Sequence, residues 1–216
     1  MKRGSRVEPQ RIVWQAASLG LSYPDSDVLG RADLVREALA EAAPAAAGHF
    51  TELLDGWRSG PPAQLQADYV ELFDLSRKQT LYLSYWTDGD TRRRGEVLGR
   101  FKSAYRASGF LVDTHGELPD YLPMVLEFAA RADLDAGREL LQAYRPSLEL
   151  LRIALDEKQS PYAGALVAVC ATLPGESPAT RAAVQAMVDA GGPPVESVGL
   201  DAYDPRLLPL QPVGER

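Results

Sequence analysis

The sequence predicts an all-α protein with no sheet. Alanine, leucine, glutamate and arginine dominate, which favours helix, whereas the β-branched residues that enrich strands are scattered singly. Apolar residues recur with a period near 3.6, and prolines and glycines punctuate the chain at helical intervals.

The elements follow in order. Ile12, Val13, Ala16 and Leu19 form a first apolar stripe, ended by the turn Ser22-Tyr23-Pro24-Asp25. Val28, Val35, Ala38 and Leu39 suggest a second helix. Phe50, Leu53, Leu54 and Trp57 repeat at i, i+3, i+4 and i+7, and Gly60-Pro61-Pro62 stops that helix before Leu65, Tyr69, Leu72 and Phe73 begin another. Leu81, Leu83 and Tyr85 alternate like a strand, while Tyr82 and Trp86 lie one helical turn apart; the segment is read as helical. Val97, Leu98, Phe101, Ala104, Tyr105 and Ser108 trace the clearest helical face, with Gly109 placed to end it. Leu122, Val125, Leu126 and Ala129 form the next stripe. Leu140 to Leu155 continue the pattern, with Pro146 set to kink or divide it because proline lacks a backbone donor. Ser160-Pro161 and Ser177-Pro178 each read as an N-cap followed by proline, and so start two further helices.

From Gly191 the periodicity dissolves. Five of the sixteen prolines fall in the last 26 residues, a density that forbids long helix or central strand. The expected organisation is one helical domain over residues 1–190, a bundle of about eight to ten helices, with an extended, proline-rich C-terminal tail over 191–216. A chain of 216 residues can bury roughly 70% of its unfolded surface, so it needs no covalent staples.

Composition narrows function. A net charge of −7 opposes the phosphate neutralisation that drives nonspecific nucleic-acid binding, so no nucleic-acid partner is expected. No apolar run approaches the roughly 20 residues that span a bilayer, so no direct membrane insertion is expected either. The basic start is interrupted by Gln10, Arg11 and Gln15 and lacks the apolar core of a signal peptide, which makes the expected location cytoplasmic. Cys170 is the single cysteine and lies on an apolar helix face, where packing is the preferred reading over reactivity.

Linear signatures of catalysis are missing. Neither His49 nor His115 has a glutamate three residues before it, and His-Glu-x-x-His, Gly-x-Ser-x-Gly, the P-loop and Gly-x-Gly-x-x-Gly do not occur. The expectation is a protein that is not an enzyme, with no catalytic residue, no metal ligand and no stably bound cofactor. Glu71 and Asp74, three apart on one helical face, are read as a solvated pair.

Two segments resist a purely structural explanation. In Asp88-Gly89-Asp90-Thr91-Arg92-Arg93-Arg94-Gly95 an acidic turn opens a helix whose first turn carries cations, against the helix dipole. A binding site and a buried arginine network both account for it. In Glu117-Leu118-Pro119-Asp120-Tyr121-Leu122-Pro123 two prolines four apart fix a rigid helix entry around an acid and an aromatic. Tyr82, Tyr85 and Trp86 either line a groove or pack in the core, with the core preferred.

Taken together, Tyr69-Val70-Glu71-Leu72-Phe73-Asp74, Leu81-Tyr82-Leu83, the arginine turn and the Leu-Pro-Asp turn followed by Leu126-Glu127-Phe128 resemble, in order and spacing, the NarJ-type nitrate reductase assembly chaperones of the wider TorD-like family of redox-enzyme maturation proteins. The resemblance runs from about Leu65 to Leu173. It implies a helical chaperone that binds the apo catalytic α subunit of a nitrate reductase, partly through that subunit's N-terminal segment, so that molybdenum cofactor enters the client before membrane docking. The chaperone itself would not keep the cofactor. Such a protein needs a groove with apolar anchors and a polar rim, and Asp90, Arg92, Arg94, Glu117, Asp120 and Tyr121, with Tyr82, Tyr85 and Trp86 beside them, are the client-binding candidates. A small helical ligand-binding enzyme with a non-linear site is the alternative, and a helical DNA-binding regulator the third class, disfavoured by charge.

Overall fold

A computed structural model describes residues 8–76, 78–88, 93–110, 112–114 and 116–191. Within them every regular element is helical, and the sole extended pairing is an isolated antiparallel bridge between Tyr82 and Tyr121. The order is α1 (Pro9–Gly20), α2 (Ser26–Leu29), α3 (Ala32–Ala42), α4 (Pro44–Ala47), α5 (Thr51–Ser59), α6 (Pro62–Tyr69), α7 (Leu83–Asp88), α8 (Arg93–Ala107), α9 (Leu122–Glu127), α10 (Leu134–Ala143), α11 (Arg145–Glu157), α12 (Ala163–Ala171) and α13 (Arg181–Gly191). Two π-helical turns, Val70–Asp74 and Phe128–Ala132, continue α6 and α9. The single-turn helices α2 and α4 break what the sequence presents as longer stretches.

Helix α1 is the hub. Proline at its first position costs no hydrogen bond there, and its apolar stripe of Val13, Trp14 and Ala17 packs against α9, α12 and the second π turn. Trp14 is fully buried and donates its indole N–H to Thr172 Oγ1 at 2.8 Å, which satisfies the polar tip of the largest core side chain. Helix α12 is apolar all round and accordingly lies inside, against α1 and α11. Cys170 on α12 is 1% exposed, and burial pushes its thiol up to about 12, so it stays protonated and inert at neutral pH as a core residue.

The punctuation acts largely as expected. Gly109 ends α8 with a φ of +76°, a conformation that suits glycine. Pro146 sits in the first turn of α11 and divides it from α10 at Tyr144. The two Ser-Pro pairs, however, lie ahead of their helices. α12 begins at Ala163, and α13 begins at Arg181, where Thr180 Oγ1 accepts from Ala183 N. Ser177 is instead recruited by a buried carboxylate, donating to Glu149 Oε1 at 2.7 Å, a partner no local pattern reveals. The tail expected from Gly191 onward lies outside the described residues apart from Gly191, the last residue of α13.

Candidate functional site

The bridge between Tyr82 and Tyr121 organises the most distinctive polar cluster. Leu83 N donates to Asp120 O at 3.1 Å and Leu122 N donates to Leu81 O at 2.8 Å, holding the Leu-Pro-Asp turn against the residues that enter α7. The helix therefore starts at Leu83, after an extended Leu81-Tyr82. The helical reading thus holds from Leu83 onward; Leu83 and Tyr85 of the strand-like alternation lie in the helix, and only Tyr82 pairs as a strand residue does.

Asp120 explains the switch. Its side chain is completely buried, and Oδ2 accepts from Ser84 N at 3.0 Å and from Ser84 Oγ at 2.6 Å. It is an N-terminal cap supplied to α7 from a distant segment, doing for the first turn what a neighbouring Ser or Asp ordinarily does. Tyr105 of α8 donates to Pro119 O at 2.6 Å and ties the same turn to the next helix. Burial, with the Asp120 charge nearby, raises the Tyr105 phenol well above its usual range. Asp120 thus touches the chain rather than the solvent, and it contributes to any site by positioning. Asp120→Ala removes the acceptor of two buried donors, so a loss of about 2 to 3 kcal/mol in unfolding free energy is expected. That exceeds the roughly 1 kcal/mol ceiling for an exposed charge. A urea melt unchanged within error would show that the cap is dispensable.

Around this scaffold lies an acidic, tyrosine-rich surface. Tyr82 is half-buried and donates to Glu117 Oε2 at 2.5 Å, and its ring lies 5.6 Å from that of Tyr121. Burial and the Glu117 hydrogen bond raise the Tyr82 phenol, so it remains a donor at neutral pH. Tyr121 meets Tyr69 oxygen to oxygen at 3.1 Å, and Tyr69 donates to Leu21 O at 2.9 Å, so the Tyr121 hydroxyl is the donor of the pair. Burial pushes the Tyr121 phenol up to about 12. Asp74 lies close enough to Glu117 that partial burial and that like charge together raise its carboxyl. Trp86 anchors α7 by donating to Thr80 O at 3.0 Å, and Tyr85 is half-buried beside it.

The structure thus brings Tyr82, Glu117 and Tyr121 together on one surface, places Asp120 directly beneath, and sets Tyr85 and Trp86 on the adjoining α7. Asp90 and Arg92 lie outside the described residues. Arg94 belongs to the first turn of α8, but its side chain lies outside the description as well. Sequence reasoning passed over Tyr69, Ser84 and Tyr105, whose roles come from long-range hydrogen bonds. It also treated Glu71 and Asp74 as one solvated pair. Both are exposed, in agreement with that reading; Asp74 lies near enough to Glu117 to feel its charge, and Glu71 lines a cleft together with Tyr162. Carboxylates, phenol donors and aromatic rings together suit a cationic, partly apolar peptide. Among the described residues no group of three or more His, Cys, Asp and Glu is arranged to hold a metal ion, and no helix is long and apolar enough to cross a membrane.

Residues 36–168, which contain the whole cluster, match the family described as nitrate reductase delta subunit. The chain belongs to that family. Among its relatives, the nitrate reductase-like protein NarX of Mycobacterium tuberculosis is 44% identical over 161 residues, which are 74% of this chain and 24% of that protein. The chain therefore spans about a quarter of the length of the NarX proteins it matches. A Bacillus subtilis protein designated nitrate reductase molybdenum cofactor assembly chaperone NarJ is 35% identical over 195 residues, covering 84% of this chain and 97% of its own length. The NarJ chaperone of Escherichia coli K12 is 32% identical over 146 residues, 66% of this chain and 61% of that one. A crystal structure from Archaeoglobus fulgidus, titled as a redox enzyme maturation protein, superposes with a TM-score of 0.57 at 25% identity, over 75% of this chain and 92% of that one. The delta subunit family thus supplies the NarJ-type likeness that the tyrosine, arginine and Leu-Pro-Asp segments carry in the sequence.

Proposed function

We propose that this protein is an assembly chaperone that binds the apo catalytic α subunit of a respiratory nitrate reductase in the cytoplasm and supports molybdenum cofactor insertion before that subunit docks at the membrane. The observation that carries the reading is the alignment with the B. subtilis chaperone over nearly its full length. The chaperone designation of the relatives favours this reading over a small helical ligand-binding enzyme. On this view the protein is not an enzyme and holds no cofactor of its own; molybdenum cofactor goes to the client.

The client's N-terminal segment is the proposed ligand, and the Tyr82–Glu117–Tyr121 surface its proposed seat. Tyr82 and Tyr121 offer ring faces for an apolar anchor, and Glu117 and Asp74 offer charge for a basic residue. Asp90, Arg92 and Arg94 remain proposed as client-binding residues, as do Tyr85 and Trp86, with Asp120 as the residue that sets the shape of the seat. Two measurements test this. In a strain lacking the gene and any second copy, methyl-viologen-linked nitrate reduction is expected to fall to background with the α subunit present but short of molybdenum cofactor. Binding of a peptide from the start of the α subunit to the Tyr82→Ala and Glu117→Gln variants is expected to weaken about tenfold or more, with melting midpoints close to that of the parent. Full nitrate reduction in the deletion strain removes the chaperone role, and unchanged peptide affinity in both variants moves the seat elsewhere.

A further inference from the structure

A cleft of about 460 Å3 opens between α5, α6 and the turn that joins α11 to α12. Its apolar lining is Leu53, Trp57, Leu65, Leu72 and Tyr162. Glu52, Asp68 and Glu71 stand at it as exposed carboxylates, none in an ion pair among the described residues, and Lys158 is the one cation among the lining residues. A second recess of about 460 Å3 shares Glu52, Gln159, Ser160 and Pro161 with it and adds Asp156, so the two form one continuous acidic groove.

The groove wall also holds an unanswered donor. Trp57 is 6% exposed, and its indole N–H has no acceptor among the described residues. The contrast is with Trp14 and Trp86, whose indoles donate to Thr172 and Thr80. That nitrogen is itself shut off from solvent, so what Trp57 offers the cleft is its ring and not its N–H.

This groove is separate from the Tyr82–Glu117–Tyr121 surface. Buried Tyr69 stands between them, its hydroxyl meeting Tyr121 on one side and its ring meeting Tyr162, 6.1 Å away, on the other.

We propose that the groove is a second peptide-docking surface, taking a cationic amphipathic segment of a partner protein. Apolar side chains of that segment would fill the Leu53–Leu65–Leu72 floor against the Trp57 ring, and its lysines or arginines would meet Glu52, Asp68 and Glu71. The charge chooses this occupant: nucleic acid and anionic lipid surfaces are repelled, and a second copy of a chain of net charge −7 brings predominantly like charge.

The test uses the full-length, 15N-labelled chain and a synthetic peptide with leucine and lysine at helical spacing, against a leucine and glutamate counterpart. Trp57→Phe identifies the Trp57 indole resonance. On adding the lysine peptide that resonance is expected to shift, while those of Trp14 and Trp86 stay in place. The double variant Glu52→Gln/Glu71→Gln is expected to weaken binding about tenfold at low salt. Gly56→Leu places bulk in the cleft at a helical position with open space around its Cβ, and is expected to abolish binding while the melting midpoint holds. Tyr82→Ala and Glu117→Gln are expected to leave this affinity unchanged, which separates the groove from the proposed client seat. The inference is overturned if the glutamate peptide binds as well as the lysine peptide, if the Trp86 resonance moves in place of Trp57, or if Gly56→Leu binds like the parent. It is equally overturned if sedimentation shows self-association that Gly56→Leu abolishes without any peptide binding.

Discussion

Glu149→Ala is expected to lower the unfolding free energy by about 3 to 5 kcal/mol, the cost of breaking a buried ion pair from one side. Glu149 is completely buried on α11, and Arg145, on the same helix, is 2% exposed. Arg145 meets Glu149 Oε1 at 3.3 Å, Arg152 donates to Oε2 at 2.7 Å, and Ser177 donates to Oε1. The two arginines also hold the loop beyond α12: Arg145 donates to the carbonyls of Pro174 and Gly175, and Arg152 to that of Pro178 at 2.5 Å. Removing the carboxylate leaves the buried Arg145 charge without its counter-ion. The loop from Pro174 to Pro178 should loosen with it, and α13, which packs on α11, should lose protection from hydrogen exchange before the rest of the bundle. Glu149→Gln keeps an acceptor but removes the charge, so a smaller loss is expected. Chemical denaturation of both variants checks the order. An alanine variant within about 1 kcal/mol of the parent would show that the network contributes little to stability.

The second large effect is expected at Gly164. A Cβ there would lie 1.8 Å from the backbone oxygen of His49 and 2.9 Å from its carbonyl carbon, because the start of α12 rests directly on the 3₁₀ turn Gly48–Phe50. Backbone meets backbone, so no side chain can swing aside. Gly164→Ala should therefore cost about 3 kcal/mol or more, at or beyond the upper end of ordinary overpacking. The same substitution at Gly56, mid-helix in α5 with nothing within 4 Å of the added Cβ, should instead stabilise by roughly 0.5 to 1 kcal/mol through chain entropy. Opposite signs in paired urea melts are the expected result. Equal, small changes at both positions would mean that α12 shifts away from the turn at little cost.

The helical stripes were readable because burying one face of a helix imposes a period that survives in a single sequence. Val97, Phe101 and Tyr105 are all buried on α8, as their spacing predicts, and Leu140, Leu141, Tyr144, Leu148, Leu151 and Leu155 are all buried along α10 and α11. Turn chemistry was readable for a similar reason, since Gly109 and Pro146 act on their own backbone. The candidate site was legible only in part. The Leu-Pro-Asp segment stood out as unusual, but its meaning did not, because the group that Asp120 caps lies 36 residues away in sequence.

Helix, the positions of most helix stops, and a family likeness carried by short segments in a fixed order can all be read from the residues in chain order. Tertiary structure alone decided which polar residues work on the chain and which face outward. Asp120 and Glu149 are acids with nothing local to distinguish them from Glu117 or Glu71, yet the first two are completely buried and the last two exposed. The physical reason is range. Periodicity and turn preference act over a few residues, whereas the burial and pairing of a charge depend on which distant segments the fold brings within hydrogen-bonding distance.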